Sequence, residues 1–156
     1  MGVSEDSGFL PMISVARRQS PGTRASVPAT TLLEWGTQQL LKVGLPPVEA
    51  KWLLEWSLGV QALELTDPNV GIRAAEKYRS AIAQRRARVP LQHITAQMAF
   101  RYLTLKSGPG VFVVRPETEM LVDLGFASLT PGPAKIVDLC AGSGAIGLAV
   151  VTERAD

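Results

Sequence analysis

Cysteine and histidine are scarce in this sequence, which contains one of each, Cys140 and His93, among 156 residues. A single cysteine excludes an internal disulfide framework and is typical of a reducing compartment. Because no cluster of cysteine, histidine and acidic residues is present, we expect no metal site. The lone histidine is expected to make a structural hydrogen bond rather than to act as a base or metal ligand.

Long apolar runs and an imbalance of charge are also lacking. No stretch of about 18 apolar residues occurs, which excludes a transmembrane helix. Lys and Arg number 16 against 14 Asp and Glu, for a net charge of +2, so the totals give no argument for binding nucleic acid or a membrane. With 46% apolar residues and 19% charged residues, the chain is expected to form a packed core.

The first 28 residues show no sustained periodicity. The apolar stretch 9–15 is too short and interrupted for a secretory signal, and Glu5 and Asp6 count against an organellar transit peptide. We expect residues 1–28 to form a disordered leader.

Three amphipathic segments then predict a helical bundle over residues 29–90. A capping box at Thr31 and Glu34 is expected to begin the first helix, with a stop near residue 44. The second helix is predicted from 46 to about 58 and the third over roughly 71–88. The basic end of the third, at Arg85, Arg86 and Arg88, is typical of a solvated helix terminus.

The pattern changes after residue 90. Two β-rich runs at 97–105 and 111–114, around a Gly/Pro turn at 106–110, predict a β-hairpin linker over 91–116. Pro116 and the acidic residues after it begin a helix that runs to about 129. Residues 135–139 are predicted to be a short buried strand, and residue 145 onward a helix.

The strongest local signal is residues 136–147, Ile-Val-Asp-Leu-Cys-Ala-Gly-Ser-Gly-Ala-Ile-Gly. A strand enters small residues and then a helix, so that a ligand can approach backbone amides at a partly positive helix terminus. Gly142, Gly144 and Gly147 formally match a dinucleotide fingerprint. The carboxylate of Asp138 suits a cation, however, and would repel a pyrophosphate. A tight turn that binds nothing is the third interpretation.

The spacing of Asp138, Cys140, Gly142 and Gly144 resembles the first motif of class I S-adenosylmethionine (SAM) methyltransferases. There the acidic residue holds the amino group of the methionine. The resemblance implies a cofactor loop formed by Asp138, Cys140, Ala141, Gly142, Ser143 and Gly144. Cys140 stands where many relatives have glycine, so a positive φ there would be strained. A reactive-thiol role for it is disfavoured because no partner base accompanies it.

A second segment makes the family specific. Residues 111–119, Val-Phe-Val-Val-Arg-Pro-Glu-Thr-Glu, are close to the signature of release factor glutamine methyltransferases, the HemK/PrmC group, and residues 88–95 resemble the segment after that family's helical domain. The order of the motifs also agrees. Residues 30–156 therefore resemble the N-terminal part of this family. Val114 replaces the family's common proline, and Ala96 its usual glycine.

The resemblance implies an incomplete α/β fold. A helical substrate-recognition domain (29–90) and the hairpin linker (91–116) would precede the first strand-helix unit of a Rossmann-like methyltransferase domain (117–156). It adds Arg115, Glu117, Thr118 and Glu119 as residues bordering the cofactor. From the residues alone, the favoured explanation of these four is a helix start with an ion-paired arginine, and only the resemblance makes the two explanations about equal.

The implied activity is SAM-dependent N5-methylation of the glutamine in the Gly-Gly-Gln motif of peptide chain release factors. The implied protein is a monomer in the cytoplasm or an organellar matrix, with release factors as partners and without a membrane or direct nucleic-acid partner. The family's catalytic Asn-Pro-Pro-Tyr segment is absent from the sequence. We therefore expect no catalytic residue here, no activity from these 156 residues alone, and feeble SAM affinity.

Two other functions stay open. The chain could be a non-catalytic module that binds a translation factor through residues 30–90. It could also belong to a SAM-dependent N6-adenine methyltransferase acting on nucleic acid, since those enzymes share the Asn-Pro-Pro-Tyr chemistry. The near-neutral charge disfavours the second.

Overall fold

Short helices make up just over half of the described residues, and two small antiparallel sheets accompany them. The computed structural model describes residues 26–60 and 69–154. The helices there are α1 (Ala29–Leu41), α2 (Val48–Leu58), α3 (Ile72–Arg86), α4 (Leu91–Thr95), α5 (Glu119–Ser128) and α6 (Ala145–Glu153), with a 3₁₀ turn at Pro116–Thr118. The strands are β1 (Ser26–Pro28), β2 (Asn69–Gly71), β3 (Gln97–Phe100) and β4 (Leu103–Lys106). The mixed α/β fold with an N-terminal helical region confirms the predicted fold class.

Helices α1, α2 and α3 pack around the larger hydrophobic core. Leu32, Leu53 and Tyr78, one from each helix, are buried there, because apolar side chains recur along one side of each helix. Helix α2 ends where Gly59 takes a left-handed conformation at φ 72°, which confirms its predicted end. The side chain of Trp52, also in α2, is 48% exposed.

Helix α1 begins at Ala29 rather than at Thr31. Pro28 occupies the N-cap with φ −55°, and no side chain caps the helix. Proline suits this position, because the first N–H groups of a helix have no partner within it. Thr31 therefore lies inside the helix, and the capping-box prediction is wrong.

Strand β1 consists of residues 26–28, which the sequence analysis assigned to the leader. Val27 pairs with Val70 in an antiparallel register, and Val70 is fully buried under the bundle. The disordered leader predicted for 1–28 thus does not extend over 26–28. Residues 1–25 lie outside the described part of the chain.

The basic end of α3 is attached to α2. Arg85 donates from Nε to Glu49 Oε2 at 2.6 Å and from Nη2 to Glu49 Oε1 at 3.2 Å, and both side chains are largely buried. Its Nη1 also donates to the carbonyl of Val89 at 3.0 Å. A bidentate Arg–carboxylate pair fixes direction as well as distance. The prediction of a solvated terminus is therefore wrong for Arg85, although Arg86 is exposed.

The predicted hairpin exists but turns earlier. Strand β3 pairs with β4, with Phe100 opposite Leu103, so the turn falls at Arg101 and Tyr102. Residues 111–114 form no strand. The Gly/Pro run 106–110 instead leads the chain away from β4.

The predicted strand at 135–139 is not formed. Both sheets in the described ranges are two-stranded, and neither includes these residues. A β-strand is defined by hydrogen bonds to a neighbouring strand, and none lies beside this segment in the described residues. Ile136, Val137 and Leu139 are consequently exposed.

A smaller core lies between the hairpin, α5 and α6. Phe100, Val122, Ala145 and Ala149 are buried in it, and Phe126 packs against them. The small alanines of α6 let this helix approach α5 closely. This core holds the glycine-rich loop in place from one side, because α6 begins where that loop ends.

Candidate functional site

The loop before α6 is built from three left-handed residues. Cys140, Gly142 and Gly144 have φ of 58°, 56° and 73°. The N–H of Gly144 donates to the carbonyl of Ala141 at 2.8 Å, which closes the turn. Glycine accepts this conformation freely, whereas for Cys140 it costs about 1–2 kcal/mol. The positive φ anticipated for Cys140 is present, and its side chain is exposed.

Asp138 connects the segment before the loop to the first turn of α6. Its Oδ2 accepts the N–H of Gly147 at 3.1 Å. That N–H belongs to the first turn of a helix, where it has no backbone acceptor, and a carboxylate is stabilised at this partly positive end. Asp138 Oδ1 has no hydrogen bond to any described residue. One carboxylate oxygen is therefore hydrogen-bonded within the chain, and the other is available to a ligand.

A cleft of about 310 Å³ lies against the loop. Thr118 brings the start of α5 to this cleft, and the loop forms the opposite wall. Its volume is in the lower range of small-molecule sites. The lining residues are Phe112, Val114, Thr118, Cys140, Ala141, Gly142, Ser143, Ala145 and Ile146.

The four residues predicted at 115–119 separate in the structure. Thr118 lines the cleft, whereas Arg115 and Glu117 are exposed and are not among its lining residues. Glu119 Oε1 accepts the backbone N–H of Arg101 at 2.8 Å. The carboxylate of Glu119 thus holds the hairpin turn against α5.

Phe112 is a wall of the cleft that the sequence analysis did not single out. Phe112 is 65% exposed and presents an apolar ring at this cleft. The signal for it was its place inside the segment 111–119. Because that segment was interpreted as a strand, Phe112 was considered for strand pairing and not as a possible wall of a cleft.

His93 fixes the segment that carries Phe112. Its Nε2 lies 3.0 Å from the carbonyl oxygen of Val111 and donates to it, because a carbonyl only accepts. Helix α4 is thereby attached to the residues entering the cleft. The predicted structural role of His93 is confirmed.

A larger groove of about 640 Å³ runs along residues 134–138, and Asp138 lines this groove rather than the cleft. Val150 and Val151 of α6 form its opposite wall, and most of its surface is apolar. Residues 134–138 pair with no strand among the described residues. We therefore interpret this groove as apolar surface that no described element covers.

Two kinds of feature are absent from residues 26–60 and 69–154. No group of three or more His, Cys, Asp or Glu residues comes together there in a way that could hold a metal ion. No helix in these ranges has the length and apolar character needed to cross a bilayer.

Comparison with known proteins identifies one matching family model and several related proteins. Residues 31–95 match the family model described as PrmC N-terminal domain. A release factor glutamine methyltransferase of Bifidobacterium longum is 42% identical over 139 residues, covering 80% of this chain and 46% of that protein. The proteins of the same name from Mycolicibacterium smegmatis and Streptomyces coelicolor are 41% and 45% identical, over 80% and 75% of this chain. The chain spans about half the length of these curated relatives.

Proposed function

We propose that this chain serves the reaction of release factor glutamine methyltransferases, because residues 31–95 match the PrmC N-terminal domain model and the chain is similar to about half the length of proteins with that name. That reaction is SAM-dependent N5-methylation of the glutamine in the Gly-Gly-Gln motif of peptide chain release factors. In this proposal the helical bundle of α1–α3 recognises the release factor, and the loop at 138–144 holds one end of the cofactor.

The cleft between Thr118 and the glycine-rich loop is the observation that supports the site. It places the small residues of the loop and the two apolar residues Phe112 and Val114 around one space. Asp138 stands at the edge of the loop with one carboxylate oxygen available. SAM, when bound, supplies a methyl group on a sulfonium and carries a methionine ammonium, and that cation complements the carboxylate.

The proposed site keeps the whole predicted set with unequal roles. The loop residues Cys140, Ala141, Gly142, Ser143 and Gly144 approach the cofactor closely, because their side chains are small or absent. Thr118 offers a hydroxyl from the facing wall. Arg115 and Glu117, both exposed at the start of α5, are proposed to orient the cofactor or the substrate loop. Glu119 supports them by holding α5 to the hairpin.

A variant at Asp138 tests whether the cofactor and the release factor use different parts of the chain. We expect Asp138→Ala to abolish the ligand-observed NMR signal of SAM and to leave binding of a release factor to the immobilised chain unchanged. The control is Lys106→Ala, an exposed charged residue of β4 outside both the bundle and the loop, which should keep both. Binding of adenine-containing duplex DNA without binding of a release factor would favour the N6-adenine alternative and contradict the proposal.

A further inference from the structure

Arg101, at the hairpin turn, makes side-chain polar contacts with Glu119, Asp123 and Glu153. Its side chain is only 13% exposed, and its backbone is left-handed at φ 50°. Nε and Nη2 donate to the two carboxylate oxygens of Glu153 at 2.6 and 2.7 Å. Nη1 donates to the Glu119 carbonyl at 3.1 Å and lies 2.8 Å from Asp123 Oδ1.

The partners of Arg101 come from two different helices. Glu119 is the first residue of α5, and Asp123 lies one turn further along the same helix. Glu153 is the last residue of α6. A guanidinium presents its donors in a rigid fork, so it can bridge two helices at fixed geometry, which a single ammonium cannot. We name this arrangement of Arg101, Glu119, Asp123 and Glu153 the Arg101 bridge.

The same two helices carry the two walls of the cleft. Thr118 directly precedes α5, and the loop that ends at Gly144 directly precedes α6. Their contact is a small core with Val122 and Ala149 fully buried, and packed helices move as units rather than bending. Any change in how α5 sits against α6 therefore changes the distance between Thr118 and the loop.

We infer that Arg101 is a positioning residue that sets the width of the cleft by holding α5 against α6. It lines neither the loop nor the cleft and acts through Glu119 and Glu153. The relevance of that width to SAM rests on the proposed function, whereas the mechanical role does not. Loss of the bridge is expected to loosen the glycine-rich loop although the loop lies outside the bridge.

Charge supports the geometry. The hydrogen bond to Glu153, and after it the interaction with Asp123, raises the pKa of Arg101 above its already high usual value. Arg101 is therefore charged throughout the neutral range. Asp123 is 64% exposed and is the weakest of its partners, because solvent screens an exposed pair.

Residue-resolved amide hydrogen exchange of the 156-residue chain tests this role. In Arg101→Gln we expect about a tenfold faster exchange at the amides of Gly144, Gly147 and Leu148, which are hydrogen-bonded at the loop and the start of α6. Amides of α2 and α3 in the larger core should not change. The matched control is Arg79→Gln, an exposed arginine of α3, which should exchange like the unmodified chain.

If Arg101 held only the hairpin in place, the pattern of amide exchange would differ. Faster exchange confined to residues 97–106, with the loop amides unchanged, would overturn the inference. Should Arg101→Gln lose its fold, Glu153→Gln removes one partner's charge and should accelerate the same loop amides to a lesser degree. Arg101→Lys, which keeps the charge without the fork, should lie between the glutamine variant and the unmodified chain.

Exchange needs no ligand, so it separates this inference from the proposed function. Unchanged loop amides overturn the positioning role and leave the proposed function standing. Faster loop exchange together with a weaker NMR signal of SAM in Arg101→Gln supports both. Faster loop exchange in a chain that gives no SAM signal even when unmodified supports the positioning role and contradicts the proposed cofactor.

Discussion

Substitution of Gly36 by alanine tests the tightest contact of the helical bundle. Gly36 lies inside α1, directly beneath the ring of Tyr78 from α3. An added Cβ would overlap Tyr78 Oη and would stand 2.7 Å from its Cζ and 3.2 Å from Ile82 Cδ1. Each of these side chains is fully buried and has no solvent-facing space into which it can move.

The magnitude follows from two opposing effects. Overpacking of a core costs about 1–3 kcal/mol, and replacing glycine by alanine within a helix returns about 1 kcal/mol. Because the added Cβ would overlap Tyr78 Oη, we expect the overpacking cost at its upper end of about 3 kcal/mol, so that Gly36→Ala lowers the free energy of unfolding by about 2 kcal/mol. The exposed Gly125 of α5 is the control, since nothing lies within 4 Å of its added Cβ. Gly125→Ala should therefore raise the free energy of unfolding by about 1 kcal/mol, which is the gain from replacing glycine by alanine in a helix.

Tyr78 allows the cause to be checked. Its hydroxyl is buried and has no hydrogen-bond partner among the described residues, and burial raises its pKa above the usual value. Tyr78→Phe removes this unpaired group and should stabilise the bundle by about 1 kcal/mol. In the double variant with Gly36→Ala part of the overlap disappears, so the two effects should couple by about 1 kcal/mol.

Urea unfolding followed by tryptophan fluorescence provides the assay. The ring of Trp35 lies 6.2 Å from that of Tyr78, so its emission reports on this contact. A Gly36→Ala variant as stable as the unmodified chain, or a double variant with strictly additive effects, would refute the packing described between α1 and α3.

Three further changes follow from contacts of the bundle and the loop. Asp138→Asn keeps an acceptor for Gly147 and should preserve slow exchange of that amide, whereas Asp138→Ala should speed it and cost about 1 kcal/mol in urea unfolding. Glu49→Ala leaves Arg85 largely buried without its partner and should cost about 2–3 kcal/mol; an effect below 0.5 kcal/mol, as for an exposed pair, would contradict the burial. Ala96→Gly, at φ 59°, should raise the thermal midpoint because it relieves a left-handed alanine by about 0.5–1 kcal/mol, and a lower midpoint would count against that strain.

Features encoded by neighbouring residues could be predicted from the sequence. Helix α2 ends at a glycine in the left-handed conformation, and α6 begins directly after the glycine-rich loop, as expected. The three left-handed residues of that loop follow from small side chains before a helix, and Cys140 conforms at a cost. The role of Asp138 as a ligand of the cofactor stays a prediction, and its hydrogen bond to the N–H of Gly147 was not predicted.

Features that depend on distant partners could not be predicted. The hairpin turns at Arg101 and Tyr102, which are not typical turn residues, and Arg101 is held there by acids from α5 and α6. The Gly/Pro run at 106–110 was the stronger local turn signal and was misleading. Residues 26–28 were assigned to the leader because their pairing partner, β2, lies some forty residues further along the chain. The role of Glu119 in holding the hairpin was hidden for the same reason.

The identity of the ligand in the glycine-rich loop is the central claim, and competition between two cofactors tests it most directly. Ligand-observed NMR of the 156-residue chain should detect SAM, and an excess of NAD should not displace it, because the Asp138 carboxylate attracts an ammonium and repels a pyrophosphate. A signal from NAD that SAM cannot displace, and that survives in Asp138→Ala, would contradict the account.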